Sequence, residues 1–239
     1  MLKYETVASD IRDKILSGDY APNDQLPTTP ELCEQYQVSK ITIKKAMDEL
    51  VQQGLIARRR GSGTYVKRVS AVKAASPAGW DMSSQMSGFV AEHKGCEVTS
   101  IVHEFTVMRV DAEIAQLLGM EADEFAYYIS RTRLVDGTPL VIEYTYMPIK
   151  LVPDLRERNV QTTIYGYLED ELGLKIGSAH RVLRAVLPTK EEAEWLGIKT
   201  TEPLLEVKQV GYLDDGVPFE YSIARHCRDY EFYSISTHN

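Results

Sequence analysis

The stretch Val38–Val66, VSKITIKKAMDELVQQGLIARRRGSGTYV, decides the fold of the N-terminal part of the chain. Ser39 suits the N-cap of a helix, because its hydroxyl can accept a hydrogen bond from an unpaired first-turn N–H. The apolar residues that follow share one helical face: Ile43, Ala46, Met47, Leu50 and Val51. Gly54 suits the position after the helix, where φ becomes positive. Two short strand-like runs then follow, Leu55–Arg58 and Thr64–Val66, which predicts a helix followed by a basic hairpin.

The residues off the apolar face are mostly basic, with eight Lys or Arg against two acids between Val38 and Arg68. A helix of this kind fits the major groove of DNA, and glycines allow a loop to approach the backbone closely. The alternative is an ordinary amphipathic helix with a solvated face. The candidate DNA contacts are Thr28, Ser39, Lys40, Thr42, Lys44, Lys45, Arg58, Arg59, Arg60, Gly61 and Gly63.

Two further helices are predicted before this stretch. Tyr4–Ser17 has apolar residues at helical spacing and is followed by Gly18. Thr28 and Glu31 have the spacing of a capping box, which predicts a second helix over Glu31–Tyr36. Pro30 is compatible with a first turn, where backbone N–H groups lack intrahelical partners.

These patterns resemble the GntR family of bacterial winged-helix regulators between Tyr4 and Val66. The matching positions include Ile11, Ile15, Gly18, Leu26-Pro27, Leu32, Val38-Ser39, Thr42, Ala46, Leu50, Gly54-Leu55-Ile56 and Gly61–Val66. The resemblance implies a homodimer on a palindromic DNA operator. Pro30, Lys40 and Lys44 stand where the family usually has arginine. Lysine lacks the bidentate fork that reads guanine, so the operator sequence stays open.

Charge and composition agree with a two-part chain of 239 residues and net charge −8. Residues 1–70 carry a net charge of +2 and the remainder −10, so the positive charge is local to the predicted DNA face. The three cysteines are Cys33, Cys96 and Cys227, which suggest neither a disulfide framework nor a metal site. We expect no cofactor. No signal peptide or long apolar run is evident, so we expect a cytoplasmic protein without membrane contact.

The second part of the chain follows a small, polar linker and contains an internal repeat. We predict a DNA-binding domain over residues 1–68, a linker over 69–79 and a second domain over 80–239. Within the latter, Asp111–Tyr128 resembles Thr189–Val207, each with a short helix ending in Leu-Gly, a loop and a strand. An Asp-Gly-x-Pro turn follows each, at Asp136–Pro139 and Asp215–Pro218, and Asp-Gly between strand-like runs is a strong hairpin signal. The repeat predicts two hairpins in one antiparallel sheet with helices and a pocket, which makes the whole chain α+β.

Arg131 and Arg133 lie two apart on a predicted strand and therefore share a face. Two converging guanidinium groups favour a phosphate or carboxylate. The commoner alternative for Arg-x-Arg is a solvated sheet face with acidic partners on the next strand. Glu143 lies amid apolar residues on the returning strand, where it could accept hydrogen bonds from a ligand or pair with an arginine.

From about Ser87 to Phe232 the chain resembles the UTRA effector domain, which accompanies GntR heads in the HutC-like subfamily and is similar in fold to chorismate lyase. The resemblance implies an effector site at Ser87, Gly88, Phe89, Arg131, Arg133, Glu143, Thr163, Tyr165 and Glu220. Thr163 would open a helix over Ile164–Leu172, either as an anion ligand or as a plain N-cap. No role is assigned to His226 or Arg228.

The sequence therefore predicts a ligand-responsive repressor rather than an enzyme. Its partners would be double-stranded operator DNA, a second copy of the chain and a small anionic metabolite such as a sugar phosphate. One alternative is a chorismate-lyase-like enzyme fused to a DNA-binding head. Another is an architectural DNA-binding protein with no effector, which no metabolite would stabilise.

Overall fold

The computed structural model describes residues 2–59, 61–68, 88–93, 95–121, 124–228 and 230–232. These form two compact units, with residues 2–68 in the first and 88–231 in the second. The predicted linker 69–79 lies outside the described residues, so the domain boundaries stay predictions. Within the described part of the chain, no helix is long and apolar enough to cross a membrane.

The first unit contains three helices and a two-stranded antiparallel sheet. Its elements are α1 (Lys3–Ser17), α2 (Thr29–Tyr36), α3 (Lys40–Gln52), β1 (Ile56–Arg59) and β2 (Gly63–Val66). Helix α2 begins two residues before the predicted start, because Glu31 accepts hydrogen bonds from the Thr28 N–H and hydroxyl, each at 2.7 Å. Pro30 then occupies the first turn, where its missing N–H costs nothing.

The predicted apolar face of α3 forms the centre of this unit. Ile43, Ala46, Met47 and Leu50 are buried against α1, α2 and the sheet, whereas Val51 is half-buried at the margin. Ser39 caps α3 by accepting from the Thr42 N–H at 3.2 Å. The opposite, basic face of α3 is left in solvent because the core takes the whole apolar stripe.

The second unit is a six-stranded antiparallel sheet with short helices on both faces. Its elements are α4 (Phe89–Glu92), β3 (Val98–Arg109), α5 (Ala112–Leu118), β4 (Phe125–Val135), β5 (Thr138–Pro148), α6 (Glu157–Gln161), α7 (Ile164–Gly166), β6 (Ile176–Val186), α8 (Lys190–Leu196), β7 (Leu204–Leu213) and β8 (Pro218–His226). The strand order is β3-β4-β5-β8-β7-β6. The two predicted hairpins, β4–β5 and β7–β8, therefore meet at the β5–β8 pair in the centre of the sheet.

The two Asp-Gly turns differ in length although their sequences are alike. Asp136 and Gly137 have φ of 48° and 76° and close a two-residue turn, and positive φ at both positions is the requirement of a type I′ turn. The second loop is longer, and the Leu213 N–H donates to the Val217 carbonyl at 2.9 Å. Gly216, with φ of 88°, supplies the left-handed residue there.

The predicted helix over Ile164–Leu172 was only partly right. It is α-helical over Ile164–Gly166 and continues as a π-helix over Tyr167–Glu171. The Leu172 N–H accordingly bonds the Tyr167 carbonyl, five residues back, at 3.1 Å.

Opposite faces of the sheet carry different layers. On one face, Ile129 packs with Val160 of α6 and Leu168 of the π-helix. On the other, Ile142 packs with Leu196 of α8. Arg131 and Arg133 follow Ile129 at intervals of two along β4, so they belong to the face that α6 and the π-helix cover.

Candidate DNA-binding face and effector site

The N-terminal half of α3 presents the predicted DNA contacts to solvent. Lys40, Lys44 and Lys45 are exposed, and Lys45 places its Nζ 5.7 Å from the centre of the Tyr4 ring on α1. The Thr42 hydroxyl lies 2.9 Å from that of Ser39. At the start of α2, the N–H and hydroxyl of Thr28 are both engaged by Glu31.

The β1–β2 hairpin brings its basic residues into defined contacts. Arg58 Nη1 lies 2.5 Å from Asp48 Oδ1 of α3, so this predicted DNA contact is ion-paired in the free protein. Arg59 stacks its guanidinium 4.7 Å from the Tyr65 ring centre. Arg60 lies outside the described residues.

The two glycines of the hairpin adopt left-handed backbone conformations. Gly61 has φ of 76° and Gly63 has φ of 126°. A Cβ on Gly63 would lie 2.5 Å from Nε2 of Gln25, so a side chain there would also displace Gln25. The loop therefore depends on glycine for its conformation.

In the second unit, Arg131 is fully engaged by the protein. It lies opposite Glu143 across the β4–β5 pair, and its Nε and Nη2 each lie 2.7 Å from Glu143 Oε2. Its Nη1 donates to the Val160 carbonyl of α6. The acidic cross-strand partner considered in the sequence is present, but the pair is not solvated, because the two side chains are only 8% and 18% exposed.

Arg133 differs sharply from Arg131, although both lie on the same face of β4. It is 2% exposed, and its Nε and Nη2 are buried without a hydrogen-bond partner in the described part of the chain. The Phe89 ring centre lies 5.2 Å from its guanidinium carbon. Burial, and then the charge of Arg131, lower the pKa of Arg133 to about 10. A buried cation with unused donors is costly unless an anion binds there.

Glu143 balances the two arginines. Burial opposes its ionisation, but the charges of Arg131 and Arg133 outweigh burial and hold the pKa of Glu143 below its usual value. Glu143 is therefore an ionised acceptor beside Arg133, two of whose nitrogens have no hydrogen-bond partner among the described residues.

Glu220 forms a second acidic position in the site. Its Oε1 accepts from Ser222 Oγ at 2.7 Å, Gln209 Nε2 at 3.0 Å and the Tyr165 hydroxyl at 3.3 Å. Burial first, and the nearby charge of Glu143 as well, raise the pKa of Glu220. Gly88 lies close to Tyr165, because a Cβ on Gly88 would be 3.3 Å from the Tyr165 ring.

The structure thus brings together most of the predicted effector residues. They are Gly88, Phe89, Arg131, Arg133, Glu143, Tyr165 and Glu220. Thr163 uses its hydroxyl to accept from the Gly166 N–H at 3.1 Å, which is the plain N-cap of the two alternatives. Ser87 lies outside the described residues.

Sequence reasoning missed three members of this cluster. Ser222 and Gln209 both hold Glu220, and Ser222 could have been found, since it lies two residues from Glu220 on one strand. His226 stacks on Tyr230 with ring centres 3.6 Å apart. Burial lowers the pKa of His226 to about 4, so at neutral pH it adds no positive charge to the site. No cluster of residues able to hold a metal ion is present among the described residues.

Comparison with known proteins agrees with both units. Residues 3–66 match the family model described as bacterial regulatory proteins, gntR family, and residues 93–230 match the UTRA domain. The chain therefore belongs to the GntR family of DNA-binding transcriptional regulators, with a UTRA domain as its effector unit.

Individual relatives cover nearly the whole chain. The transcriptional regulator GmuR of Bacillus subtilis is 35% identical over 96% of this chain and 95% of its own. The mannosyl-D-glycerate transport/metabolism system repressor MngR of Escherichia coli is 31% identical over 98% and 95%. The crystal structure of the possible regulator YydK of Bacillus subtilis covers 100% of both chains at 32% identity, with a TM-score of 0.77. GmuR is named as a regulator and MngR as a repressor, so the enzyme alternative finds no support.

Proposed function

We propose that this protein is a repressor that binds operator DNA as a homodimer and is controlled by a small anionic metabolite, in particular a phosphorylated sugar. The observation that carries the effector part is Arg133, whose buried Nε and Nη2 have no hydrogen-bond partner among the residues that the structure describes. Charge-assisted hydrogen bonds from a guanidinium to phosphate or carboxylate would satisfy both nitrogens.

The rest of the site favours a ligand that also carries hydroxyl or amino groups. Glu143 and Glu220 provide carboxylate oxygens on the same sheet face as Arg133. A phosphorylated sugar or amino sugar offers an anion to the arginine and donors to the carboxylates. The name of MngR, a repressor of a sugar-derivative system, supports this class of ligand.

Thermal shift of the purified full-length protein tests the effector proposal. The panel contains sugar phosphates, amino-sugar phosphates and small carboxylates. A ligand at a hundredfold excess over its Kd stabilises the folded state by about 2.7 kcal/mol, which is readily detected. The R133M variant should give no shift with any ligand that stabilises the wild type. A flat panel, or a shift that survives R133M, contradicts the proposed site.

The DNA part rests on the exposed lysines of α3 and on the family membership. Log K falls as log salt rises, and each DNA phosphate that a variant no longer neutralises makes this slope less steep by about 0.9. We expect K44A to make this slope less steep in a binding titration on duplex DNA. K190A, in the effector unit, is the matched control and should leave the slope unchanged. An unchanged slope in K44A removes Lys44 from the interface.

The repressor and its dimeric state can be tested together. A dimer reads two half-sites, so a selected operator should be a palindrome with half-sites about one helical turn apart. Adding the stabilising ligand should release the operator if the protein is a repressor relieved by its effector. Tighter binding in the presence of the ligand would instead indicate a corepressor or an activator.

A further inference from the structure

In helix-turn-helix proteins, the N-terminal residues of the recognition helix contact base edges. In this chain the recognition helix is α3 of the first unit, and its first two turns are residues 40–47. Their sequence is KITIKKAM, and the core takes Ile43, Ala46 and Met47. The segment contains no arginine, asparagine or glutamine. Of the side chains that pair with the edges of guanine or adenine, only lysine is present, and lysine lacks the planar fork of arginine. Hydrogen-bonded reading of bases in this part of the helix therefore rests on its lysines and Thr42, without a planar forked donor.

Ile41 is the exception among the large apolar residues of this helix, because it is 71% exposed. Each residue turns an α-helix by 100°, so Ile41 and the buried Ile43 lie on opposite sides. Lys40 precedes Ile41, and Lys44 lies one turn away on the same surface, where residues three apart are neighbours. An isolated exposed isoleucine is ordinary on a surface, but this one stands between the basic groups of the DNA face.

The major groove has one apolar group that an isoleucine can contact, the C5 methyl of thymine. We propose that Ile41 is a base-reading residue, which contacts the thymine methyl in each operator half-site. The inference rests on the proposed DNA-binding function and adds a determinant of its specificity. Lys40 and Lys44 fix the helix by phosphate contacts, while Ile41 distinguishes thymine from the other bases.

The test begins with selection of preferred sites from a randomised duplex by the full-length protein. Each thymine of the selected duplex is then replaced by deoxyuridine, which lacks only the C5 methyl. Burial of one methyl group corresponds to about fourfold in affinity. At one position in each half-site, we expect the replacement to weaken wild-type binding about fourfold, and about fifteenfold when both half-sites are changed.

The I41A variant should bind the thymine and deoxyuridine duplexes equally, because the protein side of the contact is gone. L16A is the matched control, since Leu16 of α1 is also an exposed apolar residue, at 60%, and should retain the fourfold difference. Two results would overturn the role of Ile41 and leave the proposed DNA binding intact. In the first, a duplex is enriched but wild-type binding does not depend on any thymine methyl; in the second, I41A shows the same dependence on the methyl as the wild type. Failure to enrich any duplex overturns the proposed DNA-binding function, and this inference with it.

Discussion

Replacing Arg133 with methionine should stabilise the protein in the absence of effector, whereas the same replacement at Arg131 should destabilise it. The two residues lie on one face of β4 and are alike in sequence. Arg131 has Glu143 and the Val160 carbonyl as partners, but two buried nitrogens of Arg133 have none within the described ranges. Methionine preserves much of the apolar stem of either side chain and removes the charge.

The expected size follows from the burial of each charge. The fall in the pKa of Arg133 to about 10 corresponds to about 3 kcal/mol lost by its charged form. R133M recovers this net penalty, which already includes the attraction to Glu143, but forfeits the contact with the Phe89 ring, worth about 1 kcal/mol. We expect a net gain of about 1 to 2 kcal/mol. R131M leaves Glu143 without its ion pair and should cost about 3 kcal/mol.

Differential scanning calorimetry of the full chain at pH 7 measures both effects. For a domain of this size, R133M should raise the melting temperature of the effector unit by about 4 °C, and R131M should lower it by about 9 °C. Opposite signs are the essential result. If R133M melts below the wild type, the buried charge of Arg133 does not destabilise the protein, and the reasoning behind the proposed effector site is wrong.

Three other changes probe the two units. D48N should free Arg58 for DNA and make the slope of log K against log salt steeper by about 0.9, with a stability change below about 1 kcal/mol. E220Q should be more stable than the wild type at pH 7.5. The raised pKa of Glu220 shows that the folded protein favours its protonated form, so the wild type loses stability as the pH rises, whereas glutamine stays neutral. G88A should destabilise the effector unit more than G95A, because both glycines have positive φ but only Gly88 also meets the Tyr165 ring.

Each of these has a result that would contradict it. In DNA titrations, the double variant D48N/R58A should lose the steeper slope; if it does not, the gain comes from removing a negative charge and not from freeing Arg58. In urea unfolding, the advantage of E220Q should vanish as the pH approaches 4, since Glu220 is then neutral in both folded and unfolded chains. Equal losses in G88A and G95A would show that backbone conformation alone accounts for the cost.

The head could be predicted almost completely from the sequence, because its signals are local. Helix α3 is defined by an N-cap at Ser39, an apolar stripe and Gly54 within one short stretch. Its basic face follows from the same periodicity. What local signals could not reveal is the ion pair of Asp48 with Arg58, because this depends on how β1 is positioned against the helix.

The effector unit was harder to predict because its site is assembled across distant strands. The two Asp-Gly turns indicate the hairpins, but the outer strands β3 and β6 carry no such signal. Gln209 reaches Glu220 only because β7 pairs with β8. The π-helix after α7 likewise has no periodicity that distinguishes it from an α-helix over so few residues.

The difference between Arg131 and Arg133 also bears on how an effector could control the protein. A ligand shifts a conformational equilibrium only by its difference in affinity for the two states. Arg131 is satisfied by Glu143 and the Val160 carbonyl, so an anion gains little from it. Arg133 is not satisfied, and an anion there recovers up to about 3 kcal/mol, which is the size of typical allosteric coupling. Any arrangement that withdraws Arg133 from the ligand forfeits that free energy, so the regulatory response should depend on Arg133 more than on any other group in the site.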